Sequence, residues 1–376
     1  MTTVYISIGT PKTGTTALQS FMRENEKRME KQGYCYPLMR LGISGIYKNR
    51  NAQFLINRSS KGSQQEKKEQ EAQVRAKGYA ILGELARKYP NIVLSDEQIW
   101  YRCNQIENFW PDLLENFRRI NCRVKVIVYL RRQDQVIQSL WNQLVKMFRK
   151  MTKDFKSTLE DHDFDYFPLD YYKQLEEITK YVNKEDLIVR PFERGQFEGE
   201  DHSIFSDFFG NIGLELNDEF THDTVAKNVG LEGNYIEIKR ILNEIPEYRE
   251  MYDFMCRPIL NASTYESRAG RIGKSSMFTF EEQKAFVDKY EESNQKVAVE
   301  YLGREDGVLF FEPVKELPVW EVNQDTMYRD ILVSMGELFC AQEKRIQELE
   351  KEVKAIRTSL IFRIYWKIHR IFKGDK

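Results

Sequence analysis

Short apolar runs alternate with longer amphipathic segments in the first half of the chain. The runs, which are typical of buried parallel strands, are Val4–Ile8, Ile92–Leu94, Val124–Leu130 and Leu187–Val189. Between them, apolar residues recur at every third or fourth position, which predicts helices, the first from Ala17 to a C-cap at Gly33. This alternation predicts an α/β fold: a P-loop-type parallel sheet flanked by helices, with right-handed crossovers and further helical additions. Ligands of such sheets bind at the carboxyl ends of the strands.

The C-terminal part has a different pattern. Residues with three-four spacing and charged residues between them predict a short coiled coil; they are Phe339, Gln342, Ile346, Leu349, Val353, Ile356 and Leu360. The following tail alternates bulky apolar residues with Arg and Lys. It predicts either a basic amphipathic helix on an anionic membrane surface or a helix that packs in a homo-oligomer. We therefore expect a domain at 1–325, a helical coiled-coil segment at 326–358 and a tail at 359–376.

Composition narrows the classes of function. The chain has 376 residues and a net charge of −1, which gives no electrostatic reason to expect nucleic acid as a partner. Five scattered cysteines and four histidines without metal-ligand spacing predict neither a disulfide framework nor a metal site. The N-terminal apolar run is too short for a signal peptide, and no apolar window is long enough for a membrane span. These features predict a cytoplasmic protein.

A glycine- and threonine-rich loop follows the first predicted strand and precedes the first helix. It reads Gly9-Thr10-Pro11-Lys12-Thr13-Gly14-Thr15-Thr16. Backbone N–H groups in such a loop converge on an anion at the positive end of the helix. The spacing of the two glycines matches a nucleotide P-loop, but Thr15-Thr16 replaces the expected Lys-Ser/Thr, and the lysine, Lys12, lies inside the turn. Because no acidic residue stands in a clear Walker-B setting, a magnesium-dependent kinase is disfavoured. A turn without a ligand is the alternative.

The loop resembles the 5′-phosphosulfate loop of the sulfotransferase superfamily, P-K-[ST]-G-T-T. Those enzymes carry a second signature, an Arg at the end of a strand and a Ser on the next helix. Arg131 ends the run at Val124–Leu130, and Ser139 follows it by eight residues. The resemblance implies that both residues bind the 3′-phosphate of 3′-phosphoadenosine 5′-phosphosulfate (PAPS), with Arg132 as an alternative to Arg131. It implies that PAPS is the co-substrate and that no metal is needed.

Transfer of a sulfuryl group needs a base for the acceptor proton. Ser95-Asp96-Glu97 lies at another predicted strand end, which makes Glu97 the first candidate and Asp96 the second. The alternative is that Asp96 caps the following helix. Two further segments are weaker candidates: 45–52 for the acceptor pocket, and a late basic loop with Arg268, Arg271 and Lys274 for the 3′-phosphate.

The acceptor is inferred from a narrower resemblance. The segments 189–197 and 204–214 are similar to microbial, carbohydrate-directed sulfotransferases. This implies a glycan acceptor, such as a cell-surface polysaccharide or a lipid-linked sugar. A P-loop kinase of a small hydroxylated substrate and a catalytically silent glycan-binding or scaffold protein are the competing hypotheses.

Overall fold

A computed structural model describes residues 1–41, 49–147, 151–221, 230–249 and 252–359. Its centre is a five-stranded sheet in the order β2-β3-β1-β4-β5, and every pairing is parallel. The strands are β1 (Thr2–Ser7), β2 (Tyr34–Cys35), β3 (Asn91–Ser95), β4 (Cys122–Leu130) and β5 (Leu187–Pro191). The α/β class expected from the alternating pattern is confirmed.

The first strand occupies the middle of the sheet. Ser7 pairs with Ser95 of β3 on one side and with Ile127 of β4 on the other. The register places the carboxyl ends of these three strands side by side. The short apolar runs are strands because both of their faces are covered, which removes the polar alternation that a half-exposed strand shows.

The chain divides into two compact units. The first comprises residues 1–141, 155–228 and 276–319 and holds the sheet. Its helices are α1 (Thr15–Glu24), α2 (Glu26–Lys31), α3 (Gln64–Leu85), α4 (Ile99–Arg102), α5 (Phe109–Arg119), α7 (Phe155–Glu160), α8 (Tyr171–Thr179), α9 (Ile204–Ile212), α12 (Phe280–Asp288) and α13 (Glu291–Leu302). Phe21 and Met22 of α1 join Phe208 and Phe209 of α9 in an apolar cluster with Tyr129 of the sheet. This cluster anchors the helix that follows the loop.

The second unit comprises 142–154, 229–275 and 320–376. It contains α10 (Asn234–Leu242), α11 (Tyr252–Arg268) and α14 (Gln324–Thr358), while α6 (Gln133–Met147) begins in the first unit and ends in the second. The helix α14 packs on α10 and α11. It covers the predicted helical segment 326–358, whereas the domain boundary expected at residue 325 remains a prediction.

Two local features differ from the sequence-based expectation. The helix predicted from Ala17 to Gly33 is divided at Asn25, whose side-chain amide donates to the backbone oxygens of Phe21 and Thr221 (3.0 Å each). Asparagine competes for backbone groups in this way and is therefore favoured at helix ends. The edge strand β2 was not predicted, because two residues carry no periodic signal.

No helix in the described residues is long and apolar enough to cross a membrane. All five cysteines are free thiols, and only Cys340 is exposed. The tail beyond Ser359 and residues 45–48 of the segment 45–52 lie outside the described residues.

Gly78 of α3 tests the packing of this helix. A Cβ at this position would overlap the ring of Phe54, which is buried. Since a packed core accommodates extra atoms poorly, we expect Gly78→Ala to lower the free energy of unfolding by about 1–3 kcal/mol in urea denaturation. The control is Gly210→Ala in α9, where an added Cβ meets nothing within 4 Å. Equal stability of the two variants would contradict the packing of α3 on Phe54.

Candidate functional site

The loop after β1 is fixed by backbone hydrogen bonds that continue the sheet. The N–H of Ile8 donates to Ile127 O (3.0 Å), that of Tyr129 to Gly9 O (2.8 Å), and that of Thr10 to Tyr129 O (2.8 Å). The pairing with β4 thus extends past the last residue of β1. The loop starts from a rigid base rather than from a mobile turn.

Two residues inside the loop have left-handed backbone conformations, Lys12 (φ 73°) and Gly14 (φ 72°). The Thr13 hydroxyl donates to Thr10 O (2.6 Å) and closes the turn. Gly14 is the N-cap of α1, and no side chain caps this helix. The first N–H groups of α1 therefore lack a side-chain acceptor, which is the arrangement that binds anions at helix N-termini. Thr16, in this first turn, is exposed.

Glu97 lies against the start of the loop. A Cβ on Gly9 would come within 2.9 Å of the backbone oxygen of Glu97, and Gly9 has φ 118°. The N–H of Trp100 donates to Ile8 O (3.0 Å) and fixes the chain after β3 to the same edge. Glycine at position 9 is therefore required for this close approach.

Arg131 extends from the end of β4 to the loop. Its Nη1 donates to Lys12 O (3.0 Å) and its Nε to Gln135 Oε1 (3.0 Å), and its guanidinium lies 5.8 Å from the centre of the Phe192 ring. The hydroxyl of buried Tyr171 donates to the Arg131 backbone oxygen (2.5 Å). Side chain and backbone are both held, so the guanidinium is oriented in advance.

The two adjacent arginines differ in their partners. Arg132 is buried and forms a two-point pair with Asp134 (2.7 and 3.0 Å). Arg131 forms no ion pair with a carboxylate in the described part of the chain, and its Nη2 has no hydrogen-bond partner there. Burial lowers the pKa of Arg131, an effect that Asp134 opposes. A largely buried guanidinium without a carboxylate favours the approach of an anionic ligand.

Ser139 lies on α6, four residues after Gln135. Residues at this spacing share one face of a helix, and Gln135 contacts the Arg131 guanidinium. Ser139 is partly exposed. The helix therefore places the Ser139 hydroxyl on the same face as the side chain that orients Arg131.

Asp96 is committed to a buried ion pair. Its carboxylate has no exposed surface and receives two-point hydrogen bonds from Arg50, with Nη2 at 2.6 Å from Oδ1 and Nε at 3.1 Å from Oδ2. It also accepts from the N–H of Gln98 (2.9 Å) at the start of α4. Burial raises the pKa of Asp96 to about 6, while Arg50 acts in the opposite direction. Gln98 rather than Asp96 is the N-cap of α4, and no side chain caps this helix. Asp96 therefore serves the buried pair with Arg50 and the turn after β3.

The neighbouring carboxylate of Glu97 is accessible, with 19% of its side chain exposed. It accepts a hydrogen bond from Gln19 Nε2 (3.2 Å), which also donates to Ser95 Oγ (3.1 Å), and it lies 3.8 Å from Arg50 Nε. Gln19 belongs to α1, the helix that the loop enters. The structure thus brings Glu97 beside the loop and Asp96 into the core.

The remaining predicted candidates lie elsewhere. Arg268, Arg271 and Lys274 belong to the second unit, where Arg271 pairs with Glu266. Of the segment 45–52, the described end contains Arg50 and Asn51, and the Asn51 side chain binds the backbone of β3 through Val93 O (3.0 Å) and Ser95 N (2.8 Å). That end supports the strand, and its role in an acceptor pocket remains a prediction.

Four further side chains shape the site, namely Gln19, Arg50, Gln135 and Phe192. Gln19 and Gln135 were not predicted, and Arg50 and Phe192 were named only as members of the segments 45–52 and 189–197. Phe192 follows β5 and lies 3.5 Å from the position that a Cβ on Gly14 would take. The signal for Gln135 was available, because it is four residues after Arg131. Gln19 and Arg50 act across the fold, and no local pattern marks them.

Among the described residues, no group of three or more His, Cys, Asp or Glu side chains is placed to hold a metal ion. The first unit also contains a cavity of about 970 Å³ between α7, α8 and α12, lined by Phe155, Phe164, Phe167, Phe278, Phe286 and Tyr290 among others. The loop, Glu97, Arg131 and Ser139 are not among its lining residues.

Comparison with known proteins identifies one similar protein, whose activity is not described. No family model matches the sequence, and no solved structure matches the chain. A protein of Archaeoglobus fulgidus, described as an uncharacterized protein, is 28% identical over 228 residues, or 59% of this chain. The match spans 57% of the archaeal protein's own length. The likeness therefore brings no activity to this chain.

Amide variants at the two adjacent carboxylates separate their roles. Asp96→Asn leaves Arg50, whose side chain is only 13% exposed, without its full charge partner. We expect it to lower the free energy of unfolding by about 2–4 kcal/mol, because half of a buried ion pair is removed. Glu97→Gln keeps an oxygen that can accept from Gln19 and removes only the longer ion pair to Arg50 (3.8 Å) at a partly exposed position, and we expect less than about 1 kcal/mol. Urea denaturation measures both, and the reverse order would contradict the assignment.

Proposed function

We propose that this chain is a PAPS-dependent sulfotransferase that transfers the sulfuryl group to a hydroxyl of a glycan. In this proposal the loop Gly9–Thr16 holds the 5′-phosphosulfate, and Arg131 and Ser139 hold the 3′-phosphate. The observation that carries it is the partly buried Arg131 guanidinium, which contacts Lys12 O and has no carboxylate partner in the described residues.

Two separate anion sites support a donor with two phosphate groups. The first is the uncapped N-terminus of α1 together with Lys12. The second is Arg131, which Gln135 and Tyr171 orient. The hydrogen bond from Arg131 to Lys12 O (3.0 Å) links them. A nucleoside triphosphate would place its charge in one chain of phosphates and would not need the second site.

The proposed chemistry is an in-line displacement at sulfur. The acceptor oxygen forms a bond to sulfur while the bond from sulfur to the 5′-phosphate oxygen breaks, and adenosine 3′,5′-bisphosphate leaves. Lys12 stabilises the charge that develops on the leaving phosphate. Glu97 receives the acceptor proton. Asp96 and Arg50 are positioning residues, since their buried pair fixes the chain that carries Glu97.

The glycan acceptor is proposed from the resemblance of 189–197 and 204–214 to carbohydrate-directed sulfotransferases. The cytoplasmic location is proposed from the composition and the N-terminal pattern. A cytoplasmic protein with its tail on the inner face of the membrane would meet lipid-linked sugars. The tail lies outside the described residues.

Binding of nucleotides tests the two-site donor. We expect adenosine 3′,5′-bisphosphate to bind without magnesium and more tightly than Mg-ATP in calorimetric titration. Arg131→Ala should lower the affinity for the bisphosphate by about 10- to 100-fold, which is the contribution of a charge-assisted hydrogen bond. It should change the affinity for adenosine 5′-monophosphate by much less, because that ligand lacks the 3′-phosphate.

Lys12→Ala should weaken the binding of both adenosine 3′,5′-bisphosphate and adenosine 5′-monophosphate. Arg118 is an exposed residue of α5, and Arg118→Ala should change neither affinity. A preference for Mg-ATP would support the kinase hypothesis instead. If neither nucleotide binds, the scaffold hypothesis gains support and the sulfotransferase proposal fails.

Glu97→Gln tests the base. We expect PAPS-dependent labelling of glycan acceptors with radioactive sulfur to fall by about 10²- to 10⁴-fold, the usual contribution of general base catalysis. Affinity for adenosine 3′,5′-bisphosphate should be unchanged, because the carboxylate faces the acceptor side. If Glu97→Gln labels the acceptor as fast as the wild-type protein does, Glu97 is not the base.

A further inference from the structure

The helix α14 has two opposite faces with different surroundings. Asp330 and Ser334 are buried, and Asn234 of α10 donates to Asp330 Oδ2 (2.8 Å). Arg329 adds an ion pair to Glu266 of α11 (3.1 Å). This face is covered by the second unit itself.

The opposite face has alternating spacings of four and three residues and begins about three turns earlier than the predicted coiled coil. Its positions are Tyr328, Leu332, Met335, Phe339, Gln342, Ile346, Leu349, Val353 and Ile356. The stripe is exposed along its length: Phe339 is 62% exposed, Ile346 and Leu349 43%, Val353 45% and Ile356 57%. A helix with one such seam and charged residues elsewhere is stable in water when a second helix covers the seam.

Side-chain types along the stripe favour a parallel pair of helices. Leu332, Phe339, Ile346 and Val353 occupy the a positions of the heptads, and Leu349 occupies a d position. Only Ile346 and Val353 among the a residues are β-branched and only Leu349 among the d residues is Leu, so the preference for two parallel strands applies to the heptad from Ile346 to Val353. Gln342 is a single polar residue at d, which fixes the register because an offset would bury it against an apolar side chain.

The charges beside the stripe agree with this arrangement. In a parallel pair each g residue faces the e residue five positions later on the other helix. This places Arg345 opposite Glu350 and Glu352 opposite Arg357, so each contact joins opposite charges. The antiparallel pairing that sets Ile346 against Leu349 would place Glu343 opposite Glu350, a like-charge contact, and Arg345 opposite Glu352, an opposite-charge contact, so its charges match less well than those of the parallel pair. Within the described residues Arg345 pairs with Glu348 (3.2 Å) at the surface, a weak pair that the dimer can replace.

We propose that the stripe from Tyr328 to Ile356 binds the same stripe of a second copy of this chain in a parallel, in-register, two-stranded coiled coil. The partner is a second copy because the a and d residues, the single Gln342 and the flanking charges are self-complementary. This inference concerns the second unit and does not depend on the proposed sulfotransferase activity.

The mass of the full chain in solution is the first test. Light scattering after size-exclusion chromatography should give twice the 44.8 kDa of one chain. Ile346→Glu combined with Val353→Glu should raise the dimer dissociation constant by about a hundredfold or more, because charges would be buried in the seam. Lys351→Glu, at the f position away from the seam, is the control and should remain dimeric. Far-UV circular dichroism shows whether each variant folds.

Disulfide formation tests orientation and register. In a Cys340→Ser background, which removes the exposed thiol, Val353→Cys should give a covalent dimer under mild oxidation. The two cysteines face each other only in the parallel, in-register pair. Lys351→Cys should give far less. A monomeric or larger wild-type assembly, a dimer insensitive to the paired glutamates, or equal cross-linking by both cysteine variants would overturn the proposal.

Discussion

The parallel pairing of β1 with both neighbours is the constraint on which the site depends. Hydrogen bonds continue this pairing beyond Ser7, through Ile8 and Gly9 on the β4 side and through Asp96 and Trp100 on the β3 side. The loop is therefore held between two strands before it turns into α1. Lys12, Arg131 and Glu97 are distant in sequence, and this register brings the segments that carry them to one edge. No side-chain contact alone could do so, since each contributes only about 1 kcal/mol.

The ends of β3 and β4 each carry two adjacent residues of the same charge, and the fold uses them differently. Asp96 pairs with Arg50 in the core, and Arg132 pairs with Asp134. The side chain of Arg131 extends to the loop instead, and the backbone of Glu97 lies against Gly9 while its carboxylate contacts Gln19 of α1. Successive side chains at a strand end point in opposite directions, so each pair yields one structural and one accessible group. The ion pairs of Asp96 and Arg132 fix the backbone from which the neighbouring Glu97 and Arg131 side chains extend.

The predictable part of the molecule was the part with local signals. Apolar runs gave four of the strands, and the loop lies between strand and helix as its glycines indicated. The sequence could not distinguish Asp96 from Glu97 as the candidate base, because the difference between them is the ion pair of Asp96 with Arg50. Arg50 lies in a polar segment without periodicity and contacts Asp96 only in the folded chain. The choice between Arg131 and Arg132 had a closer signal, because Asp134 is two residues from Arg132. The break at Asn25 depends on Thr221, far along the chain.

The helix α14 could be predicted from the sequence, but the division of its surface into a buried face and an exposed face could not. Heptad spacing is local, and it marked the segment from Phe339 onward. Between Tyr328 and Met335 the stripe is interleaved with Asp330 and Ser334, whose burial depends on α10 and α11. Only the fold separates the residues that serve the second unit from those left exposed. The residues of the proposed donor site belong to the first unit and the stripe belongs to the second, so the proposed nucleotide binding and the proposed self-association involve different residues.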